Sequence, residues 1–155
     1  MRANRAVAAV LAFAGALVIT SGGSFVLAST ASAGVCTTPG CGGEISNNTN
    51  TNHSIRITNC WKDEYGWEEE GDKLSCVTHP GSWNSYNADA ELPRGDESKN
   101  HYYYYDTDAI RFYRGCVTTY HTWGLPKQVI DRRGKASLWR KIDSYTHGYV
   151  DSIVC

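Results

Sequence analysis

The sequence predicts an all-β fold: a single small disulfide-stabilised domain, sandwich or barrel-like, with an extended N-terminal arm. Three observations carry that reading. Ile110 and Phe112 alternate with Arg111 and Tyr113 inside the stretch His101 to Thr119, the period-two pattern of a strand with one buried and one wet face. Six cysteines, Cys36, Cys41, Cys60, Cys76, Cys116 and Cys155, all follow an apolar leader, and an even count in a small exported chain reads as three disulfides. No amphipathic helix and no internal repeat stands out along the chain.

Residues 1–33 read as a secretory signal peptide. Arg2 and Arg5 supply a positive start, Ala6 to Ile19 is too short to span a bilayer comfortably, and Ala31-Ser32-Ala33 offers a small-residue cleavage site. The expected location is therefore extracellular, without membrane insertion. The remaining 122 residues suffice for one domain, and they hold thirteen basic against sixteen acidic side chains. That acidic balance argues against a general nucleic-acid partner. All five tryptophans and all ten tyrosines lie beyond the leader, suited to a small core or to binding surfaces.

Residues 34–52 are mostly Gly, Thr, Asn and Ser, and too few apolar groups are present to offset the ordering entropy, so a flexible polar arm is expected there. The β-rich domain then covers 53–155. Ser54 to Trp61 is the first strand, with Ile55 and Ile57 on one face. Lys62 to Lys73 is dense in charge, and the repulsion among Glu68, Glu69 and Glu70 predicts that this stretch is a solvated hairpin loop, with Trp61 and Trp67 as candidates for a contact surface. Leu74 to Thr78 reads as a short strand, and His79 to Asn100 as a long irregular connection.

The run Tyr102 to Tyr105 is expected to be extended, two rings inside and two outside, leading into an Asp106-Thr107-Asp108 corner. Val117 to His121 forms the next strand, broken by Thr122 to Pro126. Lys127 to Ile130 and Ser137 to Ile142 are expected to pair across the turn Asp131 to Gly134, and Tyr149 to Val154 closes the domain. Fifteen disulfide pairings are possible. The Thr-Thr-Pro-Gly turn favours a local Cys36–Cys41 loop, and a Cys116–Cys155 bridge would pin the last strand.

The motifs for chemistry are sparse. His101, Glu91, Arg111 and His121 are nominated by residue type for acid/base cleavage of RNA, although loop histidines are commonplace. Asp106 and Asp108 offer too few oxygens for a calcium site, and capping of a turn is the stronger reading. There is no G-x-S-x-G elbow, no H-E-x-x-H and no glycine loop opening a helix. No catalytic residue, metal ligand or cofactor is expected.

The arm GVCTTPGCGGEISNNT, the strand SIRITNCW and the later YYDTDAIRFYRGCVTTY together resemble the small adaptor subunits of umbrella toxin particles, secreted by filamentous soil bacteria. That resemblance implies a non-enzymatic adaptor in an antibacterial toxin complex. It would join a large polymorphic, repeat-containing toxin subunit to a lectin subunit with a degenerate trypsin-like domain. By position, Gly34, Val35, Cys36, Thr37, Thr38, Pro39, Gly40, Cys41, Gly42 and Gly43 would be the arm inserted into the lectin subunit's cleft, and the domain from Ile45 onward would seat on the toxin subunit. A small secreted ribonuclease-like hydrolase and a secreted protease inhibitor are the alternatives from other classes.

Overall fold

The computed structural model describes residues 36–155. The leader 1–33, with Gly34 and Val35, lies outside the described residues. Ten strands follow in order: β1 Glu44–Asn47, β2 Ile55–Thr58, β3 Glu68–Glu70, β4 His79–Pro80, β5 Ala88–Leu92, β6 Ala109–Phe112, β7 Val117–Thr122, β8 Gln128–Asp131, β9 Leu138–Lys141 and β10 His147–Val154. They form two sheets, one ordered β1-β10-β7-β8 and the other β3-β9-β6-β2-β5-β4. Most pairs are antiparallel, but β1 runs parallel to β10 and β4 parallel to β5.

One core is shared between the sheets. Ile45, Tyr120, Val150 and Ile153 from the first meet Ile55, Ile57, Leu92, Ile110, Phe112 and Leu138 from the second. The alternation read in β6 holds, with Ile110 and Phe112 buried and Arg111 half-exposed. A second cluster, Leu74, Ala109 and Trp139, lies under Trp61, Tyr65 and Val77. The excursion 61–77 supplies much of it and is fastened at its base by Cys60–Cys76. Cys36–Cys41 and Cys116–Cys155 are the other two bridges, so all six cysteines are paired as a three-disulfide framework. Neither sheet closes: β1 and β8 end one, β3 and β4 the other. The expected barrel or tight sandwich is thus replaced by two open sheets over a common core.

Several expectations are corrected. The flexible arm does not extend to residue 52, because Ile45, Ser46, Asn47 and Thr49 are all buried. Polar composition there reflects backbone service: Asn47 Nδ2 donates to the His53 and Leu92 carbonyls at 2.9 and 3.0 Å, and Asn47 Oδ1 accepts from the Thr49 N–H and hydroxyl. Lys62 to Lys73 is not a bare loop. Its three glutamates form edge strand β3, where Glu68 pairs with Arg140 and Glu70 with Arg132, each at 2.6 Å. Leu74 to Thr78 is turn, with Leu74 buried by tertiary packing.

The connection 79–100 contains β5, an inner strand of its sheet. Its Ala-Asp-Ala-Glu-Leu sequence has weak intrinsic β preference, and pairing with β2 overrides it. Tyr102–Tyr104 form a 3₁₀ turn, not a strand, which buries Tyr104 and leaves Tyr102 exposed. The segments expected to pair across Asp131 to Gly134 part company: β8 pairs with β7, while β9 crosses to lie between β3 and β6.

Candidate functional site

The arm root joins an exposed disulfide loop to buried, hydrogen-bonded backbone. Thr37, Thr38, Pro39 and Gly40 are solvent-exposed within the Cys36–Cys41 loop, whereas Gly42 and Gly43 are buried. Asp106 Oδ1 accepts the Gly43 N–H at 3.1 Å, the Thr107 N–H donates to the Gly43 carbonyl at 2.8 Å, and the Tyr145 N–H donates to the Gly42 carbonyl at 3.3 Å. A Cβ on Gly42 would lie 2.1 Å from Asp106 Oδ1, and one on Gly43 would lie 2.5 Å from the Thr107 carbonyl oxygen. Glycine is therefore required at both positions by close approach rather than by torsion. The Asp-Thr-Asp corner does cap backbone, as its residue types suggested, but its partner is 63 residues away.

Beside this root, the turn after β9 brings up Tyr145, 86% exposed and held at a φ of 67°. On the far side of the same turn, a cleft of about 400 Å³ opens between β7–β8 and β9. Tyr120 and Ile142 floor it, Trp67 and Leu125 stand at its margins, and Gln128, Arg140 and Asp143 add polar groups. Thr146 borders both this cleft and the hollow beside the disulfide loop. Exposed loop, exposed Tyr145 and aromatic cleft thus adjoin at one end of the domain.

Burial raises the Tyr120 phenol to about 12, so the cleft floor is neutral. On the outer face beside the arm, His147 Nδ1 lies 3.1 Å from Glu44 and its Nε2 lies 2.7 Å from Ser46 Oγ. The order serine, imidazole, carboxylate is that of a nucleophilic relay. Ser46, however, is 1% exposed, and Ile45 and Asn47 on either side of it are buried. The contact anchors β1, since Glu44 and Ser46 face His147 and Tyr149 across the parallel ladder. Sequence reading missed it because Glu44 and Ser46 fell within the supposed arm.

The four residues nominated for RNA cleavage are not gathered. Glu91 accepts from Arg56 and from the Tyr113 hydroxyl, and Arg111 donates to the Asp72 carbonyl at 2.7 Å. Both belong to the six-stranded sheet. His101 bonds Asp96 at 2.8 Å and stacks on Trp83. His121 bonds Asp151 and stacks on Tyr149 in the other sheet. The two histidines are held by separate carboxylates, while Glu91 and Arg111 meet through Tyr113, whose hydroxyl bonds Glu91 and whose ring lies under the Arg111 guanidinium.

No family model, no curated protein and no solved structure matches this chain.

Proposed function

We propose that this chain is a secreted, non-enzymatic adaptor whose N-terminal disulfide loop enters a cleft of a lectin subunit while the β-domain seats on a large repeat-containing toxin subunit. The partners come from the sequence resemblance alone. The observation that carries an insertion role is the locked root at Gly42 and Gly43, which makes the Cys36–Cys41 loop a pre-shaped projection. A partner cleft would then pay little ordering entropy to hold it. Tyr145 and the aromatic cleft next to the root extend the contact beyond the loop. Such aromatic groups at the centre of an interface usually dominate its energy.

The test is a deletion. Removing residues 34–41 spares both glycines and their bonds to Thr107, Asp106 and Tyr145, so the domain retains its fold. Tagged full chain and deletion are recovered from the culture supernatant of the producing cells, and co-purifying proteins are identified by mass spectrometry. The reading expects a lectin and a repeat-containing toxin with the full chain, and loss of the lectin alone with the deletion. Recovery of the full chain by itself, or undiminished lectin with the deletion, overturns it.

A further inference from the structure

A second cleft, of about 470 Å³, lies where the 61–77 excursion leaves and rejoins the six-stranded sheet. Asn59, Trp61, Lys62, Ser75, Thr78 and Asp108 line it, with the Cys60–Cys76 bridge in its wall. Nearly every polar side chain there is already committed within the chain. Asn59 Nδ2 donates to the Ser85 and Tyr103 carbonyls, and its oxygen accepts the Ala88 N–H. Ser75 Oγ meets Lys62 Nζ and the Tyr65 hydroxyl, and the Thr78 hydroxyl meets the His79 ring. Lys62 completes its shell on Glu64 at 3.3 Å.

Asp108 is the half-buried exception, since Asn87, which also lines the cleft without a side-chain hydrogen bond, is solvent-exposed. Among the described residues its carboxylate has no side-chain hydrogen bond and no ion pair, and the residue is half-buried. Burial first, and the charge of Asp106 second, raise its pKa to about 7, while Lys141 pulls the other way without pairing with it. No cation pairs with the carboxylate, although Lys141 acts on it and Lys62 lines the same cleft. Trp61 lines the same wall, and an indole is the other kind of group that attracts a cation.

We propose that this cleft binds an alkylammonium group, with the Asp108 carboxylate as its counter-ion and the Trp61 indole as its flank. The proposal is independent of the arm and of its partner. Two sources present this chemistry, a lysine side chain of a protein and a small free amine.

The experiment is two-dimensional NMR of the full chain at about pH 8, where Asp108 is ionised. It is titrated with Nα-acetyl-lysine methylamide, with n-butylammonium, and with the neutral Nα-acetyl-norleucine methylamide. Saturable shifts of the Trp61 indole N–H and the Asp108 amide are expected with both amines. Binding should be roughly tenfold weaker or worse with the neutral compound, and equally weakened in Asp108→Asn, as loss of one partly buried charge pair requires. Tighter binding of the lysine derivative assigns the site to a protein side chain, and tighter binding of n-butylammonium assigns it to a free amine. Absence of a saturable shift, an equal response to the neutral compound, or undiminished binding to Asp108→Asn overturns the proposal.

Discussion

Asp106 and Asp108 sit two positions apart and differ in what meets their carboxylates. Asp106 accepts the Gly43 N–H, so its charge has a donor. Asp106→Ala removes that acceptor from a half-buried amide and should cost about 1–2 kcal/mol, measured by urea unfolding. Gly43→Ala should cost more, about 1–3 kcal/mol, because its Cβ meets the Thr107 carbonyl oxygen and Ile142 Cγ2, neither of which has room to withdraw. Asp108 has no such donor, and its folded carboxyl holds a proton up to about 7 against an ordinary 3.8. Between those values the unfolded chain releases the proton and the folded chain keeps it. Its contribution is therefore complete below about 4 and is lost as pH rises through about 7. Asp108→Asn should stabilise the protein at pH 8 by roughly 3–4 kcal/mol and by little at pH 4, checked by thermal unfolding across that range. Burial lowers His147 despite Glu44, so its contribution has the opposite sign and is lost as pH falls below the ordinary imidazole value near 6.5. The Asp-Thr-Asp corner was legible from its residue types. Which distant amide it caps was not, because a side chain carries no record of a partner 63 positions away.

Among the elements, β9 has the most varied duties. Leu138 faces the shared core while Trp139 turns to the opposite face and fills the cluster under the 61–77 excursion. Trp139→Ala should cost about 3–5 kcal/mol in denaturant unfolding, whereas the exposed Trp67→Ala should change stability by less than about 0.5 kcal/mol. Reversal of that order would contradict the two-face reading of β9. The Ser137 to Ile142 segment was legible as a strand from its sequence, and its partner was not. A turn-linked pair of strands normally forms a hairpin, but here β8 adds to β7 and β9 inserts between β3 and β6. The tyrosine run fails as a strand for a related reason. Four aromatic rings suit a strand by propensity, yet the 3₁₀ turn sends Tyr104 into the core, where its hydroxyl donates to the Ser82 carbonyl at 2.8 Å. Packing of one ring outweighed the local preference of four.

For the whole molecule, the three disulfides should differ in what they hold. By loop-closure entropy, the Cys116–Cys155 bridge, spanning 39 positions, contributes about 4 kcal/mol, against about 2 for the six-residue Cys36–Cys41 ring. Replacing Cys116 and Cys155 by alanine should therefore lower the urea midpoint markedly, and replacing Cys36 and Cys41 should lower it about half as much. Equal losses would contradict the loop-length ordering. Composition determined that the chain needs disulfides, and alternation determined that it is built of strands, because both depend on local patterns of polarity. Spacing and position suggested the local ring Cys36–Cys41 and a Cys116–Cys155 bridge among fifteen possible pairings, and the structure contains both. Tertiary structure alone decided that the mostly polar Glu44–Asn47 form a largely buried strand, since pairing with β10 and the bonds of Asn47 replace the apolar area they lack. It also decided that the sheets stay open and that the disulfide loop stands on a locked root beside Tyr145. Those outcomes depend on which distant backbone groups find each other, a quantity that no window of neighbouring residues contains.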